Sequence, residues 1–484
     1  MSRDQSENDF KITRMTTTPE AVSLNPENVP VVREIVDSMF PSAVAELGRL
    51  VRIPGIAWDA FDANNLELSA AAVAKLLEDL ALFDTVEIRR ASTPEGKAGA
   101  PAVVATRAAR NGRPTVLLYA HHDVQPPGDD DQWQTPPFQP TLIDGRLYGR
   151  GAADDKAGII AHLTAIKALA IALNGDIDLG INLFIEGEEE AGSPSFRNFL
   201  EENRADLAAD LIVVADSANW STDVPALTTS LRGLVSQVVE IRTLDHAVHS
   251  GMFGGAVPDA MTAMLKLLAS LHDEHGNVAV AGLHSAPASN LDYSEDALRA
   301  DSGLLDGVSQ IGTGNIVDKI WNRPAITVIG MDAQTVALSS NTLLPSVRAK
   351  ISMRIAPGDT PESALESLRK HLMDHTPWGA KLTFGEVELG KPHSSPSDTW
   401  SHRLASQALS ASFGTESVNI GIGGSIPFIA DLVEVFPKAQ ILVTGVEDPD
   451  SRAHSPNESL HLDTLRRAIL AETLVLLEAN DILN

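Results

Sequence analysis

The sequence contains no cysteine. Disulfides, thiolate nucleophiles and Cys-based zinc sites are thereby excluded, and His, Asp and Glu are left as the side chains able to hold a metal. No run approaches ~18 uninterrupted apolar residues. The N-terminus, MSRDQSENDFKITR, lacks the basic start and apolar core of an export signal. A soluble, cytoplasmic chain without a membrane partner is expected. Positive charge is scarce: 37 Lys and Arg against 65 Asp and Glu give a formal net charge of −28. With no basic cluster to offset it, that charge argues against nucleic acid and anionic membrane surfaces as partners. Its plain meaning is solubility, although part of it could be local and neutralised by bound cations.

What is present is ample apolar material, 43% of 484 residues. That length exceeds what one hydrophobic core usually supports, so two domains are expected. Residues 1–30 are polar and read as a flexible arm. From there, helix-like stretches (66–83, 156–173) alternate with nearly apolar strand-like runs (115–120, 181–187, 211–217). This pattern predicts an α/β domain built on a mostly parallel sheet covered by helices.

After residue 230 the order becomes strand 234–243, helix 258–274, strands 325–333 and 347–356, helix 361–375 and strand 381–388. That is the β-α-β-β-α-β order of a ferredoxin-like unit. The expected organisation is therefore a larger domain formed by 31–230 and 393–484, with a smaller α+β domain, 231–392, inserted. Residues 275–323, rich in Gly, Ser, Asn and Asp, read as a long excursion from the insert.

In an α/β sheet, ligands bind beyond the carboxyl ends of the strands. TVLLYA is followed by HHDV, with His121 and Asp123 two apart and pointing the same way if extended. INLFI is followed by EGEEEAGS, with Glu188, Glu189 and Glu190. LIVVA is followed by Asp216, and AQILVTG, at a short distance, by AHSPNE with His454. Asp154 lies in GRGAADDKAG, at the start of the next helix. Singly, each has a bland reading as a hydrogen-bonded pair, a solvated acidic face or a cap. Together they place several carboxylates at one sheet edge, where they repel one another unless cations lie between them.

Five of these residues suit two divalent metals. With Asp154 bridging, one ion takes His121 and Asp216 and the other Glu190 and His454, which leaves both open for a shared water. Asp123 is then free to orient the His121 ring. Glu189, adjacent to a ligand and not needed as one, can take a proton from that water. Hydrolysis of an amide by a hydroxide bridging the metals, with Glu189 as general base, is the chemistry this suits.

The chain resembles the M20 family of dinuclear metallopeptidases, and more closely its carnosinase-like dipeptidase branch. The matches are HHDVQPP (121–127), W…PF…DGRLYGRGAADDKAG (133–158), EGEEEAGS (186–193), ADS (215–217), LRG (231–233), HSGMFGG (249–255), GGSIP (423–427) and AHSPNE (453–458), in family order. The resemblance implies His121, Asp154, Glu190, Asp216 and His454 as metal ligands, Glu189 as general base and Asp123 as the orienting acid. It implies two divalent ions per subunit, Zn²⁺ first, with Mn²⁺ or Co²⁺ able to substitute, and Asp155 and Lys156 as supports for the turn and the helix start.

The resemblance further implies that the insert is a lid through which the chain forms a homodimer, with His249 helping to hold the oxyanion from the partner subunit. Asn341 and Arg354 look like substrate-facing lid residues. In GIGGSIPF, Gly424 and Ser425 precede a helix start whose N–H groups suit a substrate carboxylate. Relatives in this branch often carry Arg where this chain has Gly421. Family members that act on peptides with a free amino terminus tend to have Asp at the fourth ligand position, as at Asp216, whereas carboxypeptidases and deacylases tend to have Glu. A dipeptidase acting on small peptides is expected. The alternative is an N-acyl or N-carbamoyl amino acid amidohydrolase. A non-catalytic metal-binding scaffold would have lost Glu189 or a ligand, and neither is lost.

Overall fold

The computed structural model describes residues 12–14, 16–424 and 427–483. The chain divides into two units, one of residues 1–229, 395–420 and 431–484 and the other of residues 230–394 and 421–430.

At the centre of the larger unit run four parallel strands, in the order Gly180–Glu186, Thr115–His121, Leu211–Val214 and Gln440–Val443. Their side chains divide by the period of two that a pleated strand imposes. Val116, Leu118 and Ala120 join Ile181, Leu183 and Ile185 in the core formed with helices Asn28–Val51, Lys156–Ala172 and Leu462–Ala479. On the opposite face Phe184 stacks on Phe199 with ring centroids 4.6 Å apart, and Tyr119 meets Phe196 edge-on at 5.9 Å. Helix Lys156–Ala172 is buried almost all round because it packs against the sheet and against both the first and last helices of the unit.

The flanks depart from the expected mostly parallel sheet. Ala102–Arg107 runs antiparallel to Gly180–Glu186, and Thr85–Arg89 antiparallel to Ala102–Arg107. Ala226–Leu231 is antiparallel to Gln440–Val443. The sheet is therefore mixed. The rule that apolar strands between helices run parallel holds only for the central strands, which are buried on both faces. Thr85–Arg89, exposed along much of its length, belongs to the solvated kind of edge.

The first helix begins at Asn28, inside the stretch read as a flexible arm. Its buried positions Val32, Ile35, Val36, Ala43, Leu47 and Leu50 recur at helical spacing. Before it, Thr17 bridges Ile482 and Val22 is buried, so this part of the arm is held to the C-terminal end of the chain.

The smaller unit contains a four-stranded antiparallel sheet in the order Ala325–Asp332, Ser346–Ile355, Gly233–Arg242 and Lys381–Gly390. Helices Ala260–Ala269 and Pro361–Asp374 cover it, joining Val235, Val239 and Ile241 to Met264, Leu267, Leu368 and Leu372 in a separate core. Both helices start at side-chain caps: Asp259 accepts from the Thr262 N–H, and Thr360, followed by Pro361 at the first helical position, accepts from the Ser363 N–H. The excursion is not structureless, since it includes helix Glu295–Ser302 and a helical turn at Asp318–Asn322. Among the described residues, no helix is long and apolar enough to cross a membrane.

Candidate metal centre

The central strands of the larger unit run parallel, so their carboxyl ends share one edge, and the predicted residues emerge there. His121 is the last residue of its strand. Glu188, Glu189 and Glu190 follow strand Gly180–Glu186, and Asp216 follows Leu211–Val214 by two residues. Asp154 precedes helix Lys156–Ala172, and His454 lies in the loop between Gln440–Val443 and Ser459–His461.

Asp154 divides its two oxygens between two groups. Its Oδ1 is 3.1 Å from His121 Nε2, and its Oδ2 is 3.0 Å from His454 Nε2, which also lies 3.1 Å from Glu190 Oε2. Two sets of donor atoms result, His121 with Asp154 and Asp216, and Asp154 with Glu190 and His454, each with its atoms within 4.8 Å of one another. Three carboxylates and two imidazoles form a hard to borderline donor set suited to Zn²⁺, Mn²⁺ or Co²⁺.

Asp123 is wholly buried and does two things. Its Oδ1 lies 3.4 Å from His121 Nδ1, and its two oxygens accept the backbone N–H groups of Glu189 and Glu190, both at 3.1 Å. One carboxylate thus sets the imidazole ring and the segment carrying the two glutamates. Glu189 itself reaches to 4.0 Å from His121 Nε2.

The electrostatics follow from crowding acids in a buried space. Burial pushes the Asp216 carboxyl up to about 7, helped by Asp154 and Glu190 and opposed by His121. Burial, then the Asp216 charge, holds Glu189 well above the usual carboxylate range. Burial would also raise Asp154, but hydrogen bonds from His121 and His454 outweigh it and pull this carboxyl well below its ordinary value. The same bonds to Asp154 and Glu190 push the His454 imidazole up to about 11. Protons on the imidazoles thus occupy positions between carboxylates that a divalent cation would serve better.

Of the two expected supports for the turn and the helix start, Asp155 acts on a neighbouring strand end and Lys156 holds the helix start. Asp155 makes no side-chain bond to the helix start; its Oδ2 accepts the His121 backbone N–H at 3.2 Å, fixing the strand end. Lys156, fully buried, donates to the carbonyls of Leu50 at 3.0 Å and Ile53 at 2.7 Å. It anchors the helix start to the C-terminal end of the first helix, and its burial lowers the ammonium to about 7.

Gln125 was not singled out from the sequence. Its backbone N–H and its side-chain amide donate to the two oxygens of Glu190, at 3.0 and 2.7 Å. It lies within HHDVQPP, but a neutral amide carries no charge or metal preference that would mark it in a sequence.

The remaining predicted residues belong to the smaller unit. His249 is exposed and caps helix Ser250–Phe253, its Nδ1 accepting from the Gly251 N–H at 3.0 Å. The Ser250 N–H donates to the Asn341 carbonyl at 2.9 Å, so the HSG and NTLLP segments are neighbours. Arg354 is half-buried in strand Ser346–Ile355. Its charge, secondary to burial, lowers the guanidinium of Arg232 to about 10, and Arg232 Nε donates to the Gly423 carbonyl at 3.0 Å, next to Gly424. Ser425 lies outside the described residues. At Gly421 a Cβ would come within 2.9 Å of the Trp321 side chain and 2.8 Å of Ser230 Oγ. The excursion's tryptophan leaves no space for a side chain there.

Residues 117–478 match the model of peptidase family M20/M25/M40. The chain is 33% identical over 423 residues to the cysteinylglycine-S-conjugate dipeptidase of Corynebacterium striatum, covering 86% of this chain and 90% of that protein. It is 30% identical to the human Beta-Ala-His dipeptidase over 75% of this chain and 74% of that protein. The crystal structure of human carnosine dipeptidase 1 shares the fold, with a TM-score of 0.74 at 24% identity, over 94% of this chain and 99% of that one. With a family model matched along most of its length and its charged strand-end residues gathered at one sheet edge, the chain belongs to peptidase family M20/M25/M40.

Proposed function

We propose that this protein is a metal-dependent dipeptidase that holds two divalent cations, one on His121, Asp154 and Asp216 and the other on Asp154, Glu190 and His454. The observation that carries the reading is the Asp154 carboxylate, one oxygen of which faces each group. Zn²⁺ is the first expectation, with Mn²⁺ or Co²⁺ suited to the same donors. Once bound, such ions would supply Lewis-acid chemistry, polarising the amide carbonyl and lowering the pKa of a water. Glu189 would take a proton from the water as the water oxygen bonds to the amide carbon, and hand that proton to the amine as the C–N bond breaks. Burial and the Asp216 charge raise its carboxyl in the metal-free protein, and a carboxylate placed beside the cations can accept and return a proton. Asp123 keeps His121 and the Glu189–Glu190 backbone in register for this.

Two features support a dipeptide as substrate. The curated relatives named above are both dipeptidases, and Asp216 stands at the fourth ligand position. Within the smaller unit, Arg232 donates to the Gly423 carbonyl and feels the positive charge of Arg354, a setting that suits a peptide carboxylate. We assign substrate contacts to Arg354, Asn341, Gly424 and Ser425, and the oxyanion contact to His249, supplied across a homodimer. The smaller unit is read as a ferredoxin-like lid that also carries that dimer. Strand Ala325–Asp332 forms a sheet edge, with Val328, Ile329 and Met331 exposed and Val336 and Leu338 more so. Such an edge is a pairing surface unless it is protected.

The test is hydrolysis of a matched pair, a dipeptide and its N-acetylated counterpart, by chelator-treated protein with and without Zn²⁺ or Mn²⁺. Metal-dependent cleavage of the free-amine substrate alone is expected. Preference for the acetylated one would make the protein a deacylase.

Replacing Glu189 by Gln should lower turnover by about 10²- to 10⁴-fold, the usual contribution of a positioned acid or base, while metal content measured by elemental analysis stays unchanged. An active, metal-loaded variant would remove Glu189 from the mechanism.

Proton linkage gives a pH prediction. Asp216 keeps a proton up to about 7 and His454 one up to about 11, and both must be released when a cation binds. Without metal, the raised Asp216 makes the fold lose stability as pH rises from the ordinary carboxylate range through about 7. The His454 contribution, complete below the ordinary imidazole range, fades as pH climbs toward about 11. The two act in the same direction, so the gain in melting temperature on adding Zn²⁺ should grow from about pH 5 to about pH 8. A gain that shrinks over that range would contradict the ligand assignment.

In solution, light scattering should give a mass twice that of the 51.5 kDa chain. Fully active particles of single-chain mass would exclude His249 acting across subunits.

A further inference from the structure

Glu458 closes the AHSPNE motif and is not among the proposed ligands. Its carboxylate is fully buried and accepts from four donors on one short loop. Oε2 takes Arg150 Nη1 at 2.7 Å and the Gly151 N–H at 3.0 Å. Oε1 takes the N–H groups of Ala153 at 3.0 Å and Asp154 at 3.2 Å. The Glu458 carbonyl also accepts the Gly149 N–H at 3.0 Å. Charge-assisted bonds of this kind are strong and directional, and a buried carboxylate left without them would be costly. The backbone from Gly149 to Asp154 is thus moulded around the Glu458 side chain.

The same residue lies four positions after His454, whose loop reaches the centre from far along the chain. Arg150 contributes at this junction too, its Nη2 lying 3.4 Å from the Ser455 carbonyl. A closed ring follows: Glu458 holds the Asp154 backbone, Asp154 Oδ2 meets His454 Nε2 at 3.0 Å, and His454 returns to Glu458 through three intervening residues. His454 is the ligand candidate that most needs such a tie. Its side chain is 58% exposed and its φ is +62°, a left-handed conformation that a non-glycine residue adopts only when its surroundings impose it. His121 and Asp216 instead ride on strand ends within the buried sheet.

We infer that Glu458 is a positioning residue that presets the Asp154–Glu190–His454 cation site, selectively over the His121–Asp154–Asp216 site. This rests on the two-cation reading above. Replacing its carboxylate by an amide turns one acceptor into a donor facing N–H groups, so the loop carrying Asp154 and the loop carrying His454 lose their common anchor.

The experiment is Zn²⁺ titration of chelator-treated full-length protein under a competing chelator, with bound metal counted by elemental analysis after dialysis. Wild-type protein should bind two ions per chain. In Glu458→Gln the weaker binding step should loosen by about 10- to 100-fold, the usual cost of removing a partner that orients ligands, so that one ion survives dialysis. A purely structural role would lower the melting temperature of the metal-free protein without separating the two binding steps. Two ions held with wild-type affinities in folded Glu458→Gln, or equal weakening of both, would overturn the inference. If Glu458→Gln does not fold, Arg150→Lys, which leaves the three backbone donors in place, should weaken the same step to a smaller degree, and an unchanged step there would overturn it as well. Wild-type protein that binds fewer than two ions would instead sink the two-cation reading itself.

Discussion

The centre depends on a single carboxylate facing two ways. Asp154 can turn one oxygen toward His121 and the other toward His454 only if a strand end and a distant loop arrive on opposite sides of it. Parallel strands make this practical, because every carboxyl end reaches the same edge and each βα connection delivers its residues there. The packing beneath serves that requirement. The all-round burial of helix Lys156–Ala172 fixes where the Asp154 segment ends, and Lys156 ties that end to the carbonyls of the first helix.

Charge sets the second condition. Asp216, Glu189, Glu190 and Asp154 would not tolerate one another as bare anions in a buried space, and the opposite displacements of their pKa values record that conflict. Asp154, bonded by two imidazoles, is held as an anion, while burial and the neighbouring carboxylates drive Asp216, Glu189 and Glu190 toward the neutral form, Glu190 in spite of the His454 ring beside it. Cations resolve both at once. Much of the chain's net negative charge is ordinary surface solvation, but this part of it is a site.

The smaller unit shows how a neighbour can be read from a glycine. Trp321, on the excursion, packs where a side chain at residue 421 would stand, and the Arg232 guanidinium lies close beneath Gly423. Arg232, whose guanidinium feels the charge of Arg354, supplies positive charge beside this packing.

The residues of the centre were legible in the sequence because their signals are local: an apolar strand, then His-x-Asp, an acidic triplet or a single Asp. The order of elements in the insert was legible for the same reason, since period and turn chemistry act over short spans. The antiparallel flanks of the larger sheet were not, because a short strand's direction depends on which neighbour it meets. Nor were the partners of the ligands. Gln125 on Glu190, Asp155 on the His121 backbone and Glu458 on the Gly151–Asp154 loop are contacts between segments from about 30 to more than 300 residues apart. Composition and spacing thus determined by themselves which side chains could hold cations and at which sheet edge. Only the tertiary structure decided how they are aimed, because a hydrogen bond across such a separation exists only once the chain has folded back on itself.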